Sequence, residues 1–200
     1  NGSVRLYAAR ALGELGDTNA TVPLIESLRE DRNVDVRVRA ARALGRLGGA
    51  IVVEPLVEAL NDENPQVCIT ATDALIEIGD VATDALIESL DHEKVNVRCD
   101  ATRALGEIGN KKAVDKIIKM LKDEWVNVRI YAVTSLGKLG DTKAVPALIE
   151  VMENKQENDL VRAGAAAALG VLRDQRALLP LRKLIIEAEE LGELEDTALK

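Results

Sequence analysis

Phenylalanine is absent from this 200-residue chain, and tryptophan, tyrosine and histidine together number four. A core must then be assembled from Ala, Leu, Val and Ile, side chains small enough to let helices approach closely. The shortage of aromatics and of apolar–polar alternation argues against sheets. Two cysteines, Cys68 and Cys99, are too few for a disulfide framework, so a reducing cytoplasm is the expected setting. No apolar run approaches the length of a membrane span. No basic-then-apolar segment opens the chain, which begins at Asn1. The lone histidine, His92, rules out a multi-histidine metal site within one chain. Gly48-Gly49 reads as a turn, and no glycine-rich phosphate loop is present. No cofactor, metal or catalytic residue is expected.

Acidity is localised. The formal charge is −8, but residues 187–196 alone carry six acids and no base, which leaves −2 for the rest. The body is nearly neutral, and the total charge says little about a binding face.

What the chain does have is repetition. The pattern V-R-x-x-A-A-x-A-L-G-x-L-G, or a close variant, starts at Val4, Val36, Val67, Val97, Val128 and Val161. Between copies stands a second pattern, Gly-Asp followed by A-V-x-P-L-I-x-x-L. Both place apolar residues at i, i+3, i+4 and i+7, the signature of amphipathic helices. The Pro-Leu-Ile segment is termed helix A and the Val-Arg segment helix B. The spacing predicts B helices near 3–15, 34–47, 65–78, 95–108, 126–139 and 158–172. A helices fall near 18–30, 50–61, 81–91, 111–123, 142–154 and 175–190. Asp17, Asp80, Asn110, Asp141 and Asp174 are the expected N-caps of A helices, and Asn64 before Pro65 caps a B helix. Leu194–Lys200 aligns with the opening of another B helix. The expectation is one all-α solenoid over 1–200, built from antiparallel two-helix repeats of about 31 residues and incomplete at both ends.

These residues resemble the HEAT-like repeats of the phycobilisome-lyase type. The resemblance covers nearly the whole chain and is specific for fold, not for function. It implies that B helices line a concave face. His92-Glu93 is superficially similar to the His-Glu pairs of deoxyhypusine hydroxylase, but a single pair in an A-to-B connection does not make that site.

Conserved slots of the pattern have structural readings. Val4, Ala8, Leu12 and Leu15 form the stripe facing helix A. Gly13, Gly45, Gly106, Gly137 and Gly170 each cost about 1 kcal/mol relative to Ala inside a helix. That cost makes sense where a neighbouring helix packs against bare backbone. The repeated arginine (Arg5, Arg37, Arg98, Arg129, Arg162) is read as a ladder onto aspartates of the Gly-Asp loops. Repeat three departs, with Cys68 for the arginine, Ile76 for the glycine and a shorter loop. A local change in the step between repeats three and four is expected there.

The variable B positions form four columns along the stack. One is apolar: Leu6, Val38, Ile69, Cys99, Ile130 and Ala163. The second runs Tyr7, Arg39, Thr70, Asp100, Tyr131 and Gly164. The third runs Arg10, Arg42, Asp73, Arg103, Thr134 and Ala167, and the fourth Glu14, Arg46, Glu77, Glu107, Lys138 and Val171. Charges here either pair along the stack or recognise a partner. Tyrosine and arginine are the usual interface anchors, which marks Tyr7, Arg10, Arg39, Arg42, Arg46, Asp73, Asp100, Arg103, Tyr131, Thr134 and Lys138 as candidate contacts. The expected function is a protein-binding scaffold without catalysis, gripping an acidic partner segment. Handling of a bilin chromophore is an alternative implied by the resemblance. Nucleic-acid binding is disfavoured by few aromatics and several groove acids. No membrane partner is expected. An oligomer is not required, although end-to-end contacts are compatible with the open ends. Trp125 is expected to cover helix ends.

Overall fold

Each B segment folds as one unbroken helix. In the computed structural model, which describes residues 2–186, these are α1 (Gly2–Leu15), α3 (Val34–Leu47), α5 (Pro65–Ile78), α7 (Val95–Ile108), α9 (Val126–Leu139) and α11 (Asp159–Leu172). Each A segment opens with a 3-10 turn and continues as a shorter helix: α2 (Thr21–Glu30), α4 (Val53–Glu58), α6 (Thr83–Ser89), α8 (Val114–Met120) and α10 (Val145–Glu153). Residues 178–186 are helical after a last 3-10 turn, Gln175–Ala177. No strand occurs among the described residues. The chain is an all-α solenoid of stacked helix pairs. The acidic stretch 187–196 and the B-like opening at Leu194–Lys200 lie outside the described residues.

Capping chemistry sets the boundaries. Asp17, Asn110, Asp141 and Asp174 each accept the backbone N–H two residues on, at 2.9–3.0 Å. Each thereby satisfies a donor that the first turn leaves orphaned. Gly16, Gly109 and Gly140 supply the positive φ that lets the preceding helix end. Asp80 is an exception to the expected caps. The shorter loop runs straight from α5 into a 3-10 turn at Gly79–Ala82, which has no side-chain cap. Asp80 instead accepts from the Asn110 amide of the next repeat at 3.0 Å. Asn64 does cap α5, accepting from the Gln66 N–H at 2.9 Å.

The core is aliphatic throughout: Val36, Ala40, Leu44, Leu56, Leu75, Leu86, Leu105, Ile117, Leu136 and Leu148 are all inaccessible to solvent. On α1 the equivalent stripe is open. Val4, Ala8 and Leu15 are exposed, because no A helix among the described residues covers that face. The expected contact with helix A is therefore absent there.

Neighbouring B helices touch far more extensively than neighbouring A helices. The more extensively packed B row is termed the inner wall, the side on which the resemblance to HEAT-like repeats implies a concave face. Glycine makes the close spacing feasible. A Cβ on Gly45 would stand 2.7 Å from the Ala74 Cβ, and one on Gly13 would stand 2.6 Å from the Ala43 Cβ. Gly106 meets Ser135 and Gly137 meets Ala168 in the same way. Gly170 has nothing within 4 Å. Ile76 fills this slot in repeat three, and the α5–α7 contact is the sparsest between adjacent B helices.

Candidate protein-binding groove

The repeated arginine sits in the first turns of each B helix and works in two directions. Arg37 donates backwards to the Asp31 carbonyl at 2.9 Å and forwards to both oxygens of Asp62, each at 2.9 Å. Arg98 repeats this with the His92 carbonyl and Asp123, and Arg129 with the Asp123 carbonyl and Glu157. Arg5 reaches Asp31. Each forward contact crosses to the following repeat. The ladder is thus real, but its acids belong to the A-to-B loops and not to the Gly-Asp loops. A 14-residue helix is about 21 Å long, so the Gly-Asp loops lie at the far end of every B helix. Arg162, last in the series, donates to the Met152 carbonyl at 3.1 Å.

One rung is missing. Cys68 occupies the arginine slot and its thiol points to the Asp62 carbonyl at 3.3 Å. The matching loop position in the next repeat, aspartate in its neighbours, is His92. Its Nδ1 accepts the Lys94 N–H at 3.0 Å, the local role that the Asp62 carboxylate plays toward Asn64. Both partners of the rung have changed together.

Along the inner wall the candidate residues are divided among five helices. Tyr7 and Arg10 are on α1, Arg39, Arg42 and Arg46 on α3, and Asp73 on α5. Asp100 and Arg103 are on α7, and Tyr131, Thr134 and Lys138 on α9. Several satisfy one another. Arg103 pairs with Asp73 at 3.4 Å, and Lys138 pairs with Glu107. Thr134 donates to its own helix at the Ile130 carbonyl, 2.9 Å away. In the apolar column Leu6, Val38 and Ile130 are half-buried, Cys99 is buried, and Ile69 and Ala163 are exposed. Thr70, in the second column, is buried and bonds the Gln66 carbonyl.

Two clefts bring candidates together. The first, about 210 Å³, is lined by Arg10, Gly13, Glu14, Arg39, Arg42, Ala43 and Arg46. Arg10 holds Glu14 at 2.7 Å, and that bond keeps the Glu14 carboxyl below the usual range, with Arg46 and Arg39 adding to the effect. Arg39, Arg42 and Arg46 make no hydrogen bond or ion pair with another described residue. The second cleft, about 490 Å³, lies at the missing rung. Asp100 and Tyr131 face it together with Asp62, Glu63, Cys68, Ile69, Cys99 and Ile130. Burial pushes the Asp100 carboxyl up, and nearby Arg103 opposes that shift. Burial pushes the Cys99 thiol up to about 11 and raises Cys68 as well. Neither is an activated nucleophile at neutral pH. Cys68, Asp62, Glu63 and Ile69 were not among the candidates. Their signal was the coincidence of departures at Cys68, Ile76 and His92 in one junction.

The outer face is self-paired. Arg29–Glu58, Lys112–Asp84, Lys116–Asp91, Lys122–Glu150 and Lys143–Asp115 link neighbouring repeats. Trp125 is 53% exposed and stands at the N-cap position of α9. Among the described residues no cluster of His, Cys, Asp and Glu is arranged to hold a metal. Nor is any helix among them long and apolar enough to cross a membrane.

Comparison with known proteins agrees with this geometry. No curated protein sequence matches the chain. Among solved structures, it is similar to the phycocyanin lyase CpcE–CpcF complex of Nostoc sp. PCC7120, with a TM-score of 0.64 and 22% identity over 69% of this chain and 91% of that one. It is also similar to YibA of Escherichia coli, with a TM-score of 0.56 and 22% identity over 89% and 68%. An engineered protein matches with a TM-score of 0.51 and 21% identity over 86% and 92%. These likenesses concern the fold. The family of HEAT repeats matches at residues 1–75, 21–95, 53–129, 83–170 and 115–192, which together span most of the sequence. By the period of its helices, the glycines between them and this match, the chain belongs to the HEAT repeats family.

Proposed function

We propose that this protein is a scaffold that holds a partner protein against its inner wall, and that an acidic segment of the partner seats on Arg39, Arg42 and Arg46. The supporting observation is selective pairing. The ladder arginines and most outer-face bases have carboxylate partners, whereas three adjacent inner arginines have none. Uncompensated like charges at i, i+3 and i+4 destabilise a helix, so the fold itself gains nothing from them. Tyr131, 38% exposed at the mouth of the second cleft, is a second contact. Tyrosine buries a large area at low entropic cost, and both tyrosine and arginine are enriched at the energetic centres of interfaces.

The test is a peptide-display selection on the intact protein, followed by affinity measurement on the charge-reversed Arg39→Glu/Arg42→Glu variant. Selected peptides should be acidic and should lose about tenfold or more in affinity, a change of about 1.4 kcal/mol. Reversal of the exposed Lys111 and Lys119, outside the groove, should change little. Binders indifferent to the inner reversal would count against the reading. Bilin handling is the second reading, favoured by the cleft at Cys68 and Cys99. An absorbance titration with free bilin that saturates at one equivalent, and fails in Cys99→Ser, would support it.

A further inference from the structure

The arginine cleft has a shape and a charge that narrow its ligand. Arg39 and Arg42 are spaced i, i+3 and Arg42 and Arg46 i, i+4, so their side chains rise from one face of α3. The floor is Gly13 and Ala43, where α1 and α3 are in their closest approach and no long side chain stands up. The result is a seat of about 210 Å³ walled by four guanidinium groups. The single acid, Glu14, is already held by Arg10 at 2.7 Å.

We propose that this seat reads a phosphorylated serine or threonine on the partner, in preference to ordinary carboxylates; the proposal rests on the acidic-partner reading above. A carboxylate presents two oxygens and one negative charge, enough for one guanidinium fork. A phosphate monoester presents three terminal oxygens and close to two charges at neutral pH, and so engages several forks at once. The three unpaired arginines match that demand. An extended polyanion is a poorer match. Beyond α3 the inner wall carries Asp73, Glu77, Asp100 and Glu107, which repel a continuous phosphate backbone. No aromatic ring lines the seat to stack a base. A single phosphate on a protein segment meets the arginines and avoids the acids.

The experiment uses the intact protein and three degenerate peptide libraries that differ only at a fixed central residue: phosphoserine, serine or glutamate. Binding is read by fluorescence anisotropy. The phosphoserine library is expected to bind, the serine library not to bind, and the glutamate library to bind about tenfold more weakly. Arg42→Gln/Arg46→Gln should erase the preference for phosphoserine, while Lys111→Gln/Lys119→Gln should preserve it. Equal binding of the glutamate and phosphoserine libraries would overturn phosphate selectivity and leave the acidic-partner reading intact. Failure of both libraries would remove both readings. Competition by inorganic phosphate as potent as the peptides would show a site for the free ion and overturn the proposal. Tighter binding of duplex DNA would likewise overturn it in favour of nucleic acid.

Discussion

The junction between repeats four and five and the junction between repeats three and four are built from the same sequence pattern, yet only one is fully tied. Between four and five, Gly106 lets α9 approach until Ser135 fills the gap and donates to the Thr102 carbonyl at 2.8 Å. Arg98 grips Asp123, and Lys112 and Lys116 reach Asp84 and Asp91 across the outer row. Between three and four, Ile76 holds α7 off α5, Cys68 stands where the arginine would be, and His92 stands where its acid would be. Among the described residues no ion pair joins α4 to α6. What remains there is Arg103–Asp73. The comparison shows that glycine and arginine set the tightness of this stack together. Where both are lost in one repeat, the contact between adjacent B helices is the sparsest, and the solenoid still continues unbroken.

Four variants sharpen that contrast. The largest effect is expected from Arg98→Ala in the tight junction, where the side chains of Arg98 and Asp123 are 10% and 7% exposed. Removing the arginine strands a nearly buried carboxylate, and chemical denaturation should show a loss of about 3 kcal/mol. Gly45→Ala comes next. Its methyl meets Ala74 Cα at 2.9 Å, with backbone on both sides, and the loss should be about 2 kcal/mol. The reverse experiment rebuilds the missing rung. Cys68→Arg with His92→Asp should stabilise the protein by about 1 kcal/mol. Either change alone should give less than half of that, a coupling that a double-mutant cycle measures directly.

The smallest effect concerns Asp100, whose carboxyl burial holds above its ordinary value. A carboxyl with a raised folded pKa is protonated more readily in the folded protein. Stability therefore falls as pH rises through that window, and the full penalty applies above it. Asp100→Asn should accordingly raise stability at pH 7 by about 0.5 kcal/mol. The advantage should vanish below about pH 3, where the carboxyl is protonated in both states. An equal advantage at both pH values would assign the effect to packing instead.

Most of the fold was legible before any coordinates. Helix limits followed from apolar spacing and from side chains such as Asp17, Asn64 and Asp141, whose capping depends on two or three neighbouring residues only. Close approach at Gly13, Gly45, Gly106 and Gly137 followed from the cost of glycine in a helix. The ladder was legible as a ladder but was assigned to the wrong loop. The Gly-Asp pair is the most regular aspartate of the pattern, whereas the partner is chosen by which end of a parallel row each loop occupies. The inner wall was read as four uniform columns. Packing divides them, so Thr70 and Cys99 are withdrawn while Arg39, Arg42 and Arg46 remain without partners. The cleft at Cys68 was not anticipated, since its lining comes from three B helices, α5, α7 and α9, that only the stack brings together.

A stack held by contacts between adjacent repeats has no long-range ties, so its mechanics are those of links in series. The Cys68–His92 gap is then the softest link. Hydrogen exchange would divide the solenoid there into two blocks that open separately. One block carries the arginine seat and the other carries Tyr131, so a partner touching both would bridge the hinge and stiffen it.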